Sequence, residues 1–123
     1  MMLEILFALM AYLLGSIPNA IWIGRRFYGV DVREHGSGNA GATNVFRVLG
    51  KVPGSIVLIL DVLKGYMAVR LVDVMNWLWP RLKGVNVLGW EGLHDSDYVM
   101  FSVMFGALSV VGHLLPVFSK FKG

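Results

Sequence analysis

The apolar stretch ILFALMAYLLGSIPNAIWI, residues 5–23, decides the fold class, because its nineteen residues include no charged side chain. At about 1.5 Å per residue, a helix of this length covers nearly the whole hydrocarbon thickness of a bilayer. A cleavable signal peptide would carry positive charge before its apolar core. Here only Glu4 precedes the stretch, whereas Arg25 and Arg26 follow it. The stretch is therefore predicted to be a retained membrane helix with its N-terminus outside and its C-terminal end in the cytoplasm.

Two further apolar stretches, residues 53–74 and 98–118, are predicted to cross the membrane as well. The first begins with Pro53, which suits the first turn of a helix, and Pro116 interrupts the second near its end. The composition agrees, since 56% of the residues are hydrophobic and 15% are charged, whereas soluble domains carry about 25% charged residues. The sequence therefore predicts an all-α polytopic bundle of three transmembrane helices, with residues 1–123 as a single transmembrane domain.

The distribution of basic residues predicts the orientation of this bundle. Five basic residues lie in segment 25–51 and two lie after residue 118, whereas segment 76–97 holds only Arg81 and Lys83. Because cytoplasmic loops are enriched in lysine and arginine, segment 25–51 and the C-terminal end are expected in the cytoplasm, and segment 76–97 outside it. The dispersed basic residues give no indication of nucleic-acid binding. The chain has no cysteine and its three histidines are far apart, so no metal site is expected.

Asp61 and Lys64 are charged residues within the second predicted span, three positions apart on one helical face. A charge at this depth costs about 2.5–3.5 kcal/mol, so both side chains should face protein or water. They form either a structural intramembrane ion pair or a polar floor beneath a cytoplasmic pocket. Small and polar residues also form stripes on the first and third spans, which predicts helix-packing surfaces for all of them except His113. The stripes comprise Tyr12, Ser16 and Asn19, and Ser102, Gly106, Ser109 and His113.

The segment HGSGNAGATNVFR, residues 35–47, is the stretch that points to chemistry. Its glycines allow close backbone approach, and a helix predicted to start near Ala42 would present free N–H groups to an anion. Arg47 can add a bidentate contact to phosphate. The segment matches neither the dinucleotide fingerprint nor the nucleotide P-loop. The residues alone thus indicate either a site for a phosphorylated small molecule at the cytoplasmic surface or a plain flexible loop.

The string SGNAGATNVFR, residues 37–47, resembles the first signature motif of the bacterial acyl-phosphate:glycerol-3-phosphate acyltransferase family (PlsY). Similar stretches follow the family's order through nearly the whole chain, apart from segment 76–97. They are residues 14–18, 31–36 and 60–65, and then 112–118 with 121–123, which resemble the opening of the second signature motif.

The resemblance implies transfer of a fatty acyl group from acyl phosphate to the 1-hydroxyl of glycerol 3-phosphate, giving lysophosphatidate in phospholipid synthesis. It implies a multi-pass enzyme of the bacterial inner membrane, with its motifs on the cytoplasmic side and no cofactor. Ser37 and Arg47 match the catalytically important serine and arginine. We do not expect an acylated Ser37, because no histidine–carboxylate pair lies near it in sequence. His113 is either a general base or, as we favour, an orienting hydrogen-bond partner.

The resemblance also assigns a set of residues that bind substrate phosphate or order the loop around it. This set comprises Gly36, Gly38, Asn39, Gly41, Thr43 and Asn44 in the first motif, and Lys122 and Gly123 at the start of the second. The family's second motif continues beyond these last two residues, and its third motif has no counterpart here. The chain is therefore expected to be an incomplete N-terminal part, inactive alone or active beside a second polypeptide that carries the remainder.

Two alternatives come from other functional classes. The chain could be a non-catalytic membrane subunit or remnant, whose polar stripes only mediate helix association. It could instead be a small transporter or channel protomer, with Asp61 and Lys64 lining a path through the bilayer.

Overall fold

The computed structural model describes residues 2–82 and 93–120, and within these ranges it contains helices and no strand. The helices are α1 (Met2–Gly15), α2 (Asn19–Tyr28), α3 (Ala42–Val48), α4 (Lys51–Leu82) and α5 (Asp95–Leu114), with single 3-10 turns at Val32–Glu34 and Val117–Ser119. The all-α prediction is therefore confirmed for the described residues.

The first predicted span is broken, and the prediction of one continuous helix over residues 5–23 was wrong. α1 and α2 meet at a bend of 40°, because Pro18 lacks an N–H donor and disfavours helical geometry at the residue before it. The carbonyl of Leu14, which the residue at position 18 would meet in a continuous helix, accepts instead from the backbone N–H of Ile17 at 3.3 Å. α2 continues to Tyr28 and ends at Gly29, whose φ of +65° suits a helix C-terminus.

The other two predicted spans also differ in their bounds. α4 has 32 residues and extends beyond 53–74 at both ends, so residues 76–82 are helical rather than part of the predicted loop. α5 ends at Leu114, earlier than the predicted 118, because Pro116 stops it. α5 begins at Asp95, so residues 95–97 of the predicted loop are helical as well, whereas residues 83–92 lie outside the described residues.

Length and hydropathy identify one described helical segment that can cross a membrane, Asp95–Ser119, and a second if α1 and α2 count as one broken span. α4 is long enough, but its charged residues lower its hydropathy. They are Lys51, Asp61, Lys64, Arg70, Asp73 and Arg81. The number of spans and their orientation therefore stay predictions.

The bundle is formed by α1, α4 and α5, each of which packs against the other two. Phe7, Met75 and Phe105 are among the buried side chains of their common core. α1 and α5 cross so closely that a Cβ atom on Gly15 would lie 2.0 Å from the carbonyl oxygen of Ser109, and one on Gly112 would lie 2.2 Å from that of Tyr12. Ser16 and Ser109 are buried at this crossing, which confirms the predicted packing role of the small-residue stripes.

A second core attaches the motif segment to the bundle. Ala20 of α2, Val32 of the 3-10 turn, Val45 of α3 and Val57 of α4 are buried together. These contacts hold α3 against the N-terminal half of α4, so the glycine-rich segment has a fixed support on the bundle.

Candidate functional site

The motif loop, residues 35–41, connects the 3-10 turn to α3 and depends on two glycines with positive φ. Gly36 has φ +59° and Gly38 has φ +73°, a region that residues with a side chain rarely adopt. Gly36 is restricted by space as well, because a Cβ atom there would lie 2.3 Å from Oδ1 of Asn44. These positions therefore determine the path of the loop.

Asn44 is the residue that holds the motif loop in place. Its Oδ1 accepts a hydrogen bond from the backbone N–H of Ser37 at 2.9 Å. Its Nδ2 donates to the carbonyls of Val32 and His35, at 2.7 and 3.1 Å. The residue is 2% exposed, and both amide hydrogens are used within the protein. Of the two roles predicted for Asn44, the geometry supports ordering of the loop and leaves its amide no hydrogen for a phosphate.

We expect Asn44→Ala to lower the free energy of unfolding by about 1–3 kcal/mol, because buried polar groups of the loop lose their partners. Asn39→Ala is the matched control, since Asn39 is an exposed asparagine of the same loop, and it should change stability by no more than about 0.5 kcal/mol. Denaturant titration of the chain in detergent micelles, followed by circular dichroism, measures both. Equal stability of the two variants would contradict the role given to Asn44.

The remaining polar groups of the motif are free to meet a ligand. Within the described residues, the backbone N–H groups of residues 40–43 donate no hydrogen bond. The side chains of Ser37, Asn39, Thr43 and Arg47 are exposed. The hydrogen bond between the Ser37 backbone and Asn44 holds Ser37 against α3. Asn44 itself precedes Arg47 by about one helical turn. Consecutive unpaired N–H donors beside a hydroxyl and a guanidinium form an arrangement that can hold an oxyanion.

Ser37 lacks the partners of an activated nucleophile. In the described part of the chain, its Oγ accepts only from the backbone N–H of Asn39, at 3.5 Å. A serine nucleophile requires an adjacent base within hydrogen-bonding distance. The geometry therefore supports the expectation that Ser37 binds or polarises a substrate rather than becoming acylated.

Asp31 links the end of α2 to the residues before the motif loop. Its Oδ2 accepts from Arg25 at 2.6 Å and from Arg33 at 2.7 Å, and its Oδ1 accepts from the Arg33 backbone at 3.1 Å. The Arg33 guanidinium, aided by Arg25 and opposed by burial, holds the pKa of Asp31 well below its usual value. The same contact raises the pKa of Arg33.

This lowered pKa predicts acid sensitivity. In the unfolded chain an aspartate titrates near about 3.9, so the stabilisation by Asp31 is complete above that pH and is lost as the pH falls toward the lower, folded-state pKa. We expect the free energy of unfolding to fall less between pH 6 and pH 3 in Asp31→Asn than in the unchanged chain. The exposed Asp95 provides the control, and Asp95→Asn should keep the original pH dependence. Parallel curves for all three proteins would contradict the prediction.

Asp61, Lys64 and His113 form a polar cluster inside the bundle. Lys64 Nζ lies 3.0 Å from Asp61 Oδ1, 2.8 Å from the carbonyl oxygen of Ile17 and 3.1 Å from His113 Nδ1. Asp61 Oδ1 also accepts from Asn19 Nδ2 at 3.0 Å. The predicted ion pair is confirmed, and Lys64 is only 7% exposed.

This cluster lies beside the motif loop. A small pocket there is lined by Ile17, Pro18, Asn19, Ala40, Asp61, Lys64, His113 and Pro116. Ala40 belongs to the motif loop, so the ion pair also lines a pocket beside that loop, whereas the polar floor beneath a cytoplasmic pocket stays a prediction. The role of the Ile17 carbonyl was not predicted from the sequence. The helix break at Pro18 leaves this carbonyl available to accept a hydrogen bond from Lys64. Pro18 is the residue from which this could have been predicted.

Two predicted site residues, Lys122 and Gly123, lie outside the described residues. Among the described residues, no group of three or more histidines, aspartates or glutamates is arranged to bind a metal ion.

The sequence matches the protein family described as glycerol-3-phosphate acyltransferase over residues 5–123. It is 44% identical over 119 residues to the glycerol-3-phosphate acyltransferase of Enterococcus faecalis. The aligned residues make up 97% of this chain and 46% of that protein. It is 41% identical over 122 residues to a Streptococcus pneumoniae protein of the same name, covering 99% of this chain and 48% of that protein.

A solved structure is similar over nearly the whole chain. It is the crystal structure of PlsY (YgiH), an integral membrane glycerol 3-phosphate acyltransferase, in its glycerol 3-phosphate form. The TM-score is 0.70 at 36% identity, with 98% of this chain and 50% of that chain covered. The chain thus spans about half the length of the relatives it matches, and its helical fold is similar to that of this integral membrane protein.

Proposed function

Because the chain belongs to the glycerol-3-phosphate acyltransferase family, we propose that it forms the part of a membrane acyltransferase that binds the phosphate group of a substrate. The reaction is acyl transfer from acyl phosphate to the 1-hydroxyl of glycerol 3-phosphate, giving lysophosphatidate and inorganic phosphate. The observation that carries the proposal is the motif loop together with α3, where Asn44 is used internally while Ser37, Arg47 and four consecutive N–H groups stay available.

The contributions of the motif residues follow from their chemistry. Arg47 neutralises an anionic substrate and orients it through two parallel hydrogen bonds. The N–H groups of residues 40–43 and the Ser37 hydroxyl donate to phosphate oxygens or to the reacting carbonyl, where negative charge develops during attack. Phosphate is a good leaving group, so positioning and charge stabilisation supply much of the rate enhancement. Lys122 and Gly123 are proposed to bind phosphate from the opposite end of the chain.

The proposed location is the bacterial inner membrane, with segment 25–51 and the C-terminal end on the cytoplasmic side. Five basic residues in that segment support this orientation. A site there takes a water-soluble dianion from the cytoplasm while the acyl chain of the second substrate stays in the bilayer. The transporter alternative is weakened, because Lys64 uses all its donors within the protein and Asp61 is paired with it.

The relatives are about twice as long as this chain, so we propose that the 123-residue polypeptide needs a second polypeptide for activity. The test is co-expression with the part of the Enterococcus faecalis relative that this chain does not match, here called the complementing part. Lysophosphatidate formation from acyl phosphate and glycerol 3-phosphate is measured for the chain, for the complementing part and for both together. We expect product only from the pair. A correctly assembled pair without activity would favour a non-catalytic subunit, and turnover by the chain alone would refute the need for a partner.

A further inference from the structure

The hydrogen bonds of Lys64 determine where the proton of His113 lies. A lysine ammonium group has three hydrogens and no acceptor. Lys64 Nζ has three neighbours at hydrogen-bonding distance: a carboxylate oxygen of Asp61, the carbonyl oxygen of Ile17 and Nδ1 of His113. The carboxylate and the carbonyl can only accept, so two of the three hydrogens are committed to them. The third hydrogen points to the imidazole.

His113 Nδ1 must therefore accept, which requires it to be unprotonated. A neutral imidazole with an unprotonated Nδ1 carries its hydrogen on Nε2. Protonating both nitrogens would bring two cations to 3.1 Å from each other inside the bundle. Asp61 does not offset this, because it is already bound to Lys64 and Asn19.

The free side of the ring is the one that matters for a ligand. Within the part of the chain that the structure describes, Nε2 of His113 has no hydrogen-bond partner, and His113 lines the pocket that reaches Ala40 of the motif loop. A hydrogen on Nε2 is a donor, and a donor at this position suits an oxygen atom of a phosphate or carbonyl group. A general base would instead need an unprotonated nitrogen facing the substrate.

We propose that Lys64 is a positioning residue that fixes His113 in the Nε2–H tautomer, so that His113 donates a hydrogen bond to an oxygen of the bound substrate and does not act as a general base. The identity of that substrate rests on the proposed function, whereas the tautomer does not. Lys64 and Asp61 thus act through the imidazole, and the break at Pro18 contributes by providing the Ile17 carbonyl.

The tautomer is tested by nitrogen NMR on the 123-residue chain in lipid nanodiscs, with 15N-labelled histidine and no substrate. Protonated and unprotonated ring nitrogens have well-separated chemical shifts. The signals of His113 are assigned by their disappearance in His113→Gln, with His35 and His94 as the remaining histidines. We expect one protonated nitrogen, Nε2, and one unprotonated nitrogen, Nδ1. A protonated Nδ1 at neutral pH, in either the other tautomer or the imidazolium, would overturn the proposal whether or not the Lys64 variants described next fold.

The role of Lys64 is tested in Asp61→Asn/Lys64→Met, a double variant that removes both charges and leaves no buried charge unpaired. Without the Lys64 donor, we expect the single-tautomer spectrum of His113 to be lost. The matched control is Arg70→Met/Asp73→Asn, which removes the other ion pair at the same spacing on α4, Arg70 Nε to Asp73 Oδ2 at 2.6 Å. This control should leave the His113 spectrum unchanged. An unchanged spectrum in the first double variant would show that Lys64 does not set the tautomer.

The donor role is tested by activity of the co-expressed pair with His113→Gln and His113→Phe. Glutamine retains an N–H donor but cannot act as a base near neutral pH, so it should keep at least about a tenth of the activity, while phenylalanine should lose at least about tenfold more. Equal loss in both variants would contradict a donor. If the proposed function is wrong, the co-expressed pair with an unchanged His113 is inactive. The NMR measurement does not depend on activity, so it still tests the tautomer.

Discussion

Arg47→Ala is expected to reduce lysophosphatidate formation by the co-expressed pair at least about 100-fold, the loss typical of removing one donor that stabilises transition-state charge. Arg47 is exposed on the last turn of α3 and has no internal partner among the described residues. Its removal therefore leaves no unsatisfied group in the protein, and the fold should persist. Turnover is measured with radiolabelled glycerol 3-phosphate at saturating acyl phosphate.

The matched control is Arg26→Ala, which removes an exposed arginine of α2 that contacts the Phe27 ring. It should keep activity within about twofold, because a single exposed charge distant from the reaction contributes little. Arg47→Lys should fall between the two, since lysine retains the charge but not the bidentate geometry. Full activity of Arg47→Ala would remove Arg47 from the site.

Gly15→Ala is expected to lower the free energy of unfolding by about 1–3 kcal/mol or more, the range found for overpacking of a well-packed core. The added methyl group would lie 2.0 Å from the Ser109 carbonyl oxygen and 2.7 Å from its carbonyl carbon. Both are backbone atoms, so no side-chain rotation relieves the overlap and α1 must move away from α5. The loss is measured by denaturant titration in detergent micelles.

Gly65→Ala is the control for this change. Gly65 lies within α4, and a Cβ atom there meets no atom within 4 Å. Alanine is favoured over glycine inside a helix by about 0.5–1 kcal/mol, so this variant should be as stable as the unchanged chain or more stable. If Gly15→Ala and Gly65→Ala behaved alike, the close crossing of α1 and α5 would be contradicted.

The helical class, the packing stripes and the ion pair of Asp61 and Lys64 were predictable from sequence because each depends on local pattern. A run without charges over residues 5–23, small residues at helical spacing, and opposite charges three residues apart all indicate their structural roles directly. The break at Pro18 was not predicted, although proline at this position was visible. An apolar run indicates only that a segment is shielded from water. The run over residues 5–23 extends on both sides of the bend, so it gave no indication of the break.

The network around the site was harder to predict because it joins residues far apart in sequence. Asn44 reaches back to Val32 and His35, and Lys64 joins Ile17 to His113. The sequence alone did not decide whether Asn44 orders the loop or binds phosphate. It also gave no indication that His113 and Lys64 are in contact. Which partners a polar side chain finds depends on how helices cross, and the crossing follows from the backbone contact at Gly15 and Gly112.

The central claim is that the motif loop and α3 together bind the phosphate of glycerol 3-phosphate, with Arg47 of α3 as a direct contact. It is tested most directly by modifying the co-expressed pair with phenylglyoxal, which reacts with accessible arginines, and following each arginine by peptide mass spectrometry. We predict that glycerol 3-phosphate slows the modification of Arg47 several-fold, that glycerol does not, and that Arg26 reacts equally under all conditions. Equal rates at Arg47 with and without saturating glycerol 3-phosphate would contradict the claim.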